Sequence, residues 1–221
     1  MKRSGHFSVR VGGRPSPLSV KQIEEVERAV TPFTSSLLEK VLIPTKGDLD
    51  KTSSLRPLER TNFFTNTIDA ALLNGEIDVA VHSAKDLPDP IPEGLEIVAI
   101  TEGVDSRDAL VFQEGESFWT LPKGAIIATS STRREALVQK LRGDFRFRDV
   151  RGTINERLDY LKKGFADGVV VALASLIRLD LLHLPYLILD GETTPLQGKL
   201  AVLARVGDEQ MKDLFQPLDA R

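Results

Sequence analysis

Apolar residues along this chain follow two kinds of pattern, which alternate from one end to the other. Short continuous apolar runs, such as residues 79–81, have the length of buried strands. Between them lie stretches such as the one that begins at Pro17, in which Leu18, Ile23 and Val26 follow a helical period. Strands that alternate with helices are typical of parallel sheets with helices on both faces, so the pattern predicts an α/β fold.

The same pattern predicts the position of each element. Strands are predicted at 7–12, 37–45, 78–82, 95–100, 109–112, 125–128, 145–150, 168–173, 184–190 and 199–206. Helices are predicted from Pro17 onward, with Ser16 as the N-cap, and at 59–73, 131–141, 153–163, 175–182 and 208–215. The segment 46–58 lacks periodicity and is rich in turn formers, so we predict a mobile loop there.

Two polar segments divide the predicted elements into two lobes. One is the hinge-like stretch 101–108, "TEGVDSRD", and the other is the crossover 193–199, which returns the last strand to the first lobe. We therefore predict a discontinuous lobe 1 of residues 1–101 plus 200–221 and a lobe 2 of residues 102–199. Each lobe is predicted to be a mainly parallel sheet flanked by helices.

The composition narrows the class of protein. Of the 221 residues, 41% are hydrophobic and 28% charged, as in an ordinary soluble protein. No apolar run approaches the ~18 residues of a membrane span, and the N-terminal stretch "MKRSGHFSVRVGG" lacks the apolar core of a signal peptide. We therefore predict a cytoplasmic protein with no membrane partner. The formal net charge of −3 argues against a nucleic-acid partner.

Cysteine and histidine usage limits the chemistry further. The sequence has no cysteine, which excludes disulfides, thiolate metal sites and covalent attachment through sulfur within these residues. Its three histidines are scattered along the chain, so no metal site is predicted.

Four predicted turns that follow strands combine hydroxyl groups with cationic side chains. In parallel sheets such turns lie at the ligand-binding edge, and guanidinium groups bind carboxylates or phosphates there. The sequence contains neither a GxxxxGK[ST] phosphate loop nor a GxGxxG fingerprint, so separated arginines favour an elongated ligand with many carboxylates. The candidate residues of these turns are Arg14 and Ser16; Ser83 and Lys85; Thr129, Ser131, Arg133 and Arg134; and Arg151 and Arg157.

Asp86 is the one carboxylate among these cations, in "HSAKDLP". It can stabilise positive charge on a substrate or transfer a proton, or it can simply cap the turn or pair with an arginine. Arg133 and Arg134 oppose the helix dipole at a helix start, which favours ligand binding. Arg151 and Arg157 fit ligand binding and ordinary ion pairs equally well. His82 fits a buried, hydrogen-bonded histidine better than a catalyst.

At these residues the sequence closely resembles the hydroxymethylbilane synthase family, also called porphobilinogen deaminases. The resemblance is carried by "DVAVHSAKDLP", "ATSSTRREALVQKLR", "DVRGTINERLDYLKKGFADGVVVALASLIRL" and "LQGKLAVLAR", in order along nearly the whole chain. It implies two lobes of the type II periplasmic-binding-protein kind with a cleft between them. It also implies a cytoplasmic step of heme and porphyrin biosynthesis, in which four porphobilinogens lose ammonia and join head to tail.

The resemblance assigns a role to each candidate by matching motif. Asp86 would be the catalytic carboxylate, which holds pyrrole N–H groups and stabilises the cation left when ammonia departs. The implied cofactor is dipyrromethane, and the residues that would bind it are Ser83, Lys85, Thr129, Ser131, Arg133, Arg134 and Arg151. The residues that would bind porphobilinogen and the growing pyrrole chain are Arg14, Ser16, Phe64, Arg157 and Arg178.

The sequence departs from the family pattern in one respect that concerns the cofactor. Family members continue into a third domain, whose loop cysteine holds dipyrromethane through a thioether, whereas this chain stops at Arg221 and has no cysteine. The resemblance therefore predicts a shortened form that lacks the third domain. Three interpretations stay open: the primer is held without a covalent bond, a partner protein supplies the third domain, or the chain only binds carboxylated pyrroles or other polyanions.

Overall fold

The computed structural model describes residues 8–49 and 64–221, which fall into two units, each with its own five-stranded sheet. The first unit comprises residues 8–49, 64–103 and 199–221, and the second comprises residues 104–198. None of the helices in the described ranges has the length and apolar character that a membrane span requires.

The helices and strands alternate along the chain. The strands are β1 Ser8–Gly13, β2 Leu37–Leu42, β3 Val79–Ser83, β4 Leu95–Ile100, β5 Asp108–Phe112, β6 Ile126–Ala128, β7 Arg146–Arg148, β8 Gly168–Ala172, β9 Tyr186–Leu189 and β10 Leu200–Arg205. The α-helices are α1 Pro17–Val30, α2 Lys46–Leu49, α3 Asn66–Leu73, α4 Thr132–Leu141, α5 Ile154–Lys162, α6 Leu173–Arg178 and α7 Glu209–Phe215. Short 3₁₀ turns cover Thr31–Phe33, Ala84–Asp86 and Gln216–Leu218.

The sheet of the first unit has the strand order β2-β1-β3-β10-β4. β10 runs antiparallel to both of its neighbours, while β1 pairs in parallel with β2 and β3, so one strand of the five is reversed. Successive side chains of β3 point to opposite faces. Val79 and Val81 pack in the cluster that contains α1 and α7, whereas Ala80 packs with Ile68 and Leu72 of α3. Helices therefore cover both faces of the sheet.

The second unit repeats this plan with the strand order β7-β6-β8-β5-β9. Here β5 is the reversed strand, between β8 and β9. Val169 and Val171 of β8 pack toward α5 and α6, and Val170 packs on the other face with Leu137 and Val138 of α4. The predicted α/β fold, with mainly parallel sheets flanked by helices, is confirmed.

Most predicted elements are found within a residue or two of their expected ends, and the exceptions have local causes. Residues Lys46–Leu49 form a helical turn where a loop was predicted, because Asp48 accepts a hydrogen bond from the backbone N–H of Thr45 at 2.9 Å. The rest of that predicted loop, and the start of the predicted helix 59–73, lie outside the described residues. The described part of that helix begins at Asn66.

Two further predictions are wrong in their bounds. The helix predicted at 175–182 is α6, which begins directly after β8 at Leu173 and ends at Arg178. It ends there because Asp180 adopts a positive φ of 56°, a conformation that interrupts a right-handed helix. The strand predicted at 37–45 is β2, which ends at Leu42, two residues before Pro44, a residue without a backbone N–H.

Candidate functional site

A pocket in the first unit lies at the carboxyl ends of β1 and β3. It brings together five of the predicted site residues, and its wall consists of Arg14, Ser16, Leu18, Ser19, Gln22, Phe64, Thr65, Val81, His82, Ser83 and Asp86. Gly13 allows α1 to approach β1 closely here, because a Cβ at that position would come within 2.7 Å of Ile23 Cδ1. The hydroxyl of Ser16 caps α1 by accepting a hydrogen bond from the Ser19 N–H at 3.3 Å.

Arg14 already binds a carboxylate of its own chain. Its Nε lies 3.0 Å from Asp48 Oδ1, its Nη2 also donates to that oxygen, and its guanidinium carbon lies 4.7 Å from the centre of the Phe64 ring. Burial tends to raise the pKa of Asp48, but hydrogen bonds from Arg14 and Thr45 outweigh it and hold that pKa below its usual value. This arrangement shows what Arg14 offers chemically, which is a two-pronged carboxylate contact beside an aromatic face.

Asp86 ends the 3₁₀ turn that follows β3, and its half-buried side chain lines the pocket. Among the described residues, its carboxylate takes part in no hydrogen bond or ion pair, so there it neither caps the turn nor pairs with an arginine. Ser83 is oriented by Gln22, whose Nε2 donates to the Ser83 hydroxyl at 2.8 Å. Lys85 lies in the same turn but is not part of the pocket wall.

Two buried polar side chains from two elements lie next to each other here, one in the pocket wall and one behind it. His82, at the end of β3, is 6% exposed, and Asp69 of α3 is 4% exposed. Their closest atoms, His82 Nε2 and Asp69 Oδ1, are 3.7 Å apart. Burial lowers the pKa of His82 to about 4, with a smaller contribution from Arg14, and burial raises the pKa of Asp69.

The second unit binds its own carboxylate with two of the predicted arginines. Asp108 begins β5 and is 0% exposed. It accepts hydrogen bonds from Arg133 Nη2 at 2.6 Å, from Arg134 Nη2 at 2.8 Å and Nε at 3.1 Å, and from Gln197 Nε2 at 2.9 Å. Burial tends to raise the pKa of Asp108, but the two guanidinium groups overcome it and lower the pKa below its usual value.

The remaining predicted residues of the second unit lie at the ends of β6, β7 and α6. Ser131 is the N-cap residue of α4, yet its side chain makes no capping hydrogen bond, while the buried Thr129 hydroxyl accepts from the Ser131 N–H at 3.3 Å. Arg157 Nε donates to the carbonyl of Gly152 at 2.9 Å, and Arg178 Nη2 to that of Gly198 at 2.8 Å. Arg151 is half-buried after β7.

Ser130, which was not singled out from the sequence, connects two of these turns. Its hydroxyl donates to the Val150 carbonyl and accepts from the Val150 N–H, each at 2.9 Å. The β6–α4 turn and the start of the β7–α5 turn are thus bonded to each other. Within the described ranges, His, Cys, Asp and Glu side chains form no group of three or more that could hold a metal ion.

Sequence reasoning missed the residues that hold the site's arginines and the Ser83 hydroxyl. Nothing in the local sequence pattern distinguishes these residues from ordinary polar positions or indicates their partners. They are Asp48, Asp108, Gln22 and Gln197. The roles predicted for Asp86 and for the cations stay predictions.

Two five-stranded sheets, each with one reversed strand and helices on both faces, define the class of protein. The methionine binding protein MetQ has a similar structure, with a TM-score of 0.60 and 14% identity over 95% of this chain and 88% of that chain. A periplasmic substrate-binding protein of an ABC transporter from Coxiella burnetii is also similar, with a TM-score of 0.59 and 15% identity over 95% and 91% of the two chains. The chain thus has the two-lobed fold of periplasmic binding proteins.

Sequence comparison identifies the family within that class. A family model described as "Porphobilinogen deaminase, dipyromethane cofactor binding domain" matches residues 9–213. The porphobilinogen deaminase of Caldicellulosiruptor saccharolyticus is 43% identical over 195 residues, which are 88% of this chain and 67% of the relative. That of Chloroherpeton thalassium is 37% identical over 213 residues, or 95% of this chain and 68% of the relative. The chain belongs to the porphobilinogen deaminase family, and it spans about two thirds of the length of these two relatives.

Proposed function

We propose that the chain is a porphobilinogen deaminase, also called hydroxymethylbilane synthase, a transferase of heme and porphyrin biosynthesis. The reaction would join four porphobilinogens head to tail with loss of ammonia. The observation that carries the proposal is the position of Asp86, whose carboxylate lines one pocket with Arg14 and Ser83. Family membership supports the reaction class, and biosynthetic relatives of this kind support a cytoplasmic location.

Asp86 suits the step in which ammonia leaves. When the C–N bond of the aminomethyl group breaks, its electron pair leaves with nitrogen and the substrate carbon becomes positive. A carboxylate in a half-buried pocket stabilises that developing charge more strongly than water would, because the surrounding dielectric is lower. The same carboxylate can accept hydrogen bonds from pyrrole N–H groups and so orient the ring.

The cations would bind the acetate and propionate groups of porphobilinogen. Arg14 makes this kind of contact with Asp48, and a substrate carboxylate would replace Asp48 there. Ser16 and Phe64 belong to the same pocket and would contact the same substrate ring. In the second unit, Arg157 and Arg178, whose guanidinium groups also donate to the carbonyls of Gly152 and Gly198, would bind carboxylates.

The donor set also fits dipyrromethane, which carries several carboxylates and two pyrrole N–H groups. When bound, this cofactor supplies the pyrrole carbon to which the first substrate is joined. The residues that would hold it are Ser83, Lys85, Thr129, Ser131, Arg133, Arg134 and Arg151. Arg133 and Arg134 would donate hydrogen bonds both to Asp108 and to the ligand. The Ser131 hydroxyl, which makes no capping hydrogen bond at the start of α4, could donate to a ligand carboxylate there.

The way in which these 221 residues could hold the primer is limited, because they contain no cysteine. No thioether can form to these residues, so their own contacts with dipyrromethane would be charge-assisted hydrogen bonds. A partner protein that supplies an anchoring domain is the other route within this proposal. The two routes differ in whether the purified chain alone elongates added dipyrromethane.

The test is turnover by the purified chain. It is incubated with porphobilinogen, with and without added dipyrromethane or preformed bilane, while ammonia release and bilane formation are followed. We expect ammonia release that depends on added primer and is abolished by Asp86→Ala, with the circular dichroism spectrum unchanged. Glu93→Ala, an exposed carboxylate outside the pocket wall, is the matched control and keeps full activity.

Two results would contradict the proposal. One is the absence of ammonia release under every primer condition, and the other is an Asp86→Ala variant as active as the parent. If neither protein turns over while both bind a carboxylated pyrrole equally well, the chain is a binding protein.

A further inference from the structure

Three buried side chains next to the pocket contain polar atoms that the first unit does not satisfy. Thr65 and His82 line the pocket, and Asp69 lies beside His82 in the first turn of α3. Four of their atoms are buried and accept or donate no hydrogen bond within the described residues: Thr65 Oγ1, Asp69 Oδ1, Asp69 Oδ2 and His82 Nε2. Thr65 is the N-cap residue of α3, yet its hydroxyl does not cap the helix.

This arrangement is costly unless a proton is shared. A buried polar atom without a partner costs about 1–3 kcal/mol, and an ionised carboxylate costs more. An ionised Asp69 beside a neutral His82 would be a buried charge that the nearby Thr65 hydroxyl stabilises only in part, since that hydroxyl lowers the pKa of Asp69 less than burial raises it. One proton held between the two side chains removes that cost, and the 3.7 Å separation of His82 Nε2 and Asp69 Oδ1 lets a small rotation of either side chain form the hydrogen bond.

The surrounding charges decide which side chain holds the proton. Arg14, after β1, acts on His82 and disfavours an imidazolium there, while Asp86 lines the same pocket after β3. On the strand next to His82, the paired residue is Ala201, which carries no charge. Burial opposes a charge on either member of the pair and keeps His82 neutral, so the proton belongs on Asp69.

We propose that Asp69 and His82 form a proton-holding pair at the wall of this pocket, in which Asp69 carries the proton and His82 Nε2 accepts a hydrogen bond from it. The role of the pair rests on the proposed function. When the C–N bond breaks, ammonia leaves with the electron pair and takes a proton from the ring of His82, which lines the pocket, while the proton of Asp69 moves to His82 Nε2 and keeps the ring neutral. The carbon that forms the new C–C bond later loses a proton, which returns through His82 to Asp69.

These proton transfers conserve atoms and charge, and they avoid an isolated buried anion. The substrate's ammonium group and the proton lost from the ring carbon together account for one ammonium ion per bond formed. Asp69 is ionised only while the substrate is a cation, so the costly buried anion exists when an opposite charge is close. Neither Asp69 nor His82 takes over the role proposed for Asp86, which lies in the pocket itself.

The number of protons held by the pair can be measured from the pH dependence of stability, without measuring turnover. The pKa of Asp69 is raised above 3.8 on folding and that of His82 is lowered from 6.5 to about 4. Between about pH 4 and pH 6.5, the unfolded chain holds one proton on His82, and the proposed pair requires the folded chain to hold one on Asp69 instead. The pair then contributes no pH dependence to stability in this window.

Each single variant should reveal a slope of opposite sign. In Asp69→Asn, the lowered pKa of His82 remains, so stability is present above pH 6.5 and is lost as the pH falls toward 4. In His82→Gln, the raised pKa of Asp69 remains, so stability is present at pH 4 and is lost as the pH rises. Each slope, measured by urea unfolding relative to the parent, should correspond to about one proton. If Asp69→Asn matches the parent's pH dependence, the shared proton does not exist.

Nuclear magnetic resonance locates the proton. The sequence has three histidines, and His82→Gln and His183→Gln identify the ring signals of the two described ones. We expect a neutral His82 ring from pH 7 down to pH 5 and a protonated Asp69 carboxyl group at pH 6. An imidazolium at His82 at pH 7 would overturn the assignment.

A kinetic measurement tests the role in turnover. We expect Asp69→Asn to lower kcat for ammonia release at least tenfold with KM within twofold, and to change the pH profile of kcat. Glu93→Ala is the control that keeps the parent's profile. A kcat for Asp69→Asn equal to that of the parent would refute the proton transfer. If the parent itself is inactive, the proposed function fails, and the unfolding and resonance measurements still decide whether the pair holds a proton.

Discussion

Asp108→Asn is expected to cause a large loss of stability in the second unit. Asparagine keeps the shape of the side chain and removes its charge, so two guanidinium groups lose their buried counter-ion. In the parent, Arg133 and Arg134 donate to the carboxylate at 2.6, 2.8 and 3.1 Å, and the Asp108 residue is 0% exposed. Removal of one partner from a buried ion pair costs about 3–5 kcal/mol, and we expect a loss in this range.

The assay is urea unfolding at pH 7, followed by circular dichroism and by fluorescence of Trp119, which lies in the second unit together with Asp108. Asp105→Asn is the matched control, because Asp105 also pairs with an arginine, at 2.8 Å, but that Arg107 side chain is 47% exposed. The control should lose less than about 1 kcal/mol.

The pH dependence provides a second check. The pKa of Asp108 lies below its usual 3.8 in the folded state, so its contribution is present above pH 3.8 and is lost as the pH falls through the folded pKa. The difference between parent and Asp108→Asn should therefore shrink in acid. A loss no greater than that of Asp105→Asn would show that Asp108 does not hold the two arginines as described.

Two further substitutions test local features of the second unit by urea unfolding. Gly198→Ala should cost several kcal/mol more than Gly115→Ala: both positions have a positive φ, of 87° and 85°, but only at Gly198 would a Cβ meet the backbone, 2.3 Å from a carbonyl oxygen. Equal losses would contradict the close approach. Thr153→Ala should cost about 1 kcal/mol because Thr153 and Glu156 form a capping box at α5, whereas Thr153→Ser should recover most of it. A Thr153→Ser variant as unstable as Thr153→Ala would show that the hydroxyl is not the stabilising group.

Local physical chemistry made much of the fold predictable from the chain. Ser16 caps α1 as expected, since a cap needs only the residues of one helical turn. Buried strands such as Gly168–Ala172 are apolar on both faces because helices cover both sides of the sheet. The bounds of α6 were wrong because burial of Leu173 and Leu176 placed its start directly after β8.

The candidate site was predictable in its chemistry and not in its contacts. The residue types at the strand ends, with Asp86 among cations, already indicated a ligand rich in carboxylates. The counter-ions of the arginines could not be predicted from the sequence. Arg14 binds Asp48, which is 34 positions away, and Arg134 binds Asp108, which is 26 positions away. Such pairs form only when the strand order brings two turns together.

The sequence alone determined which segments are helices or strands, because periodicity and capping act within a few residues, and it carried the motifs of the family. Only the tertiary structure decided that β5 and β10 are inserted as reversed strands, which carboxylate each arginine binds, and that Asp69 is buried beside His82. The physical reason is that burial and long-range pairing depend on how distant segments pack, and a carboxylate's charge state depends on that packing rather than on its neighbours in the chain.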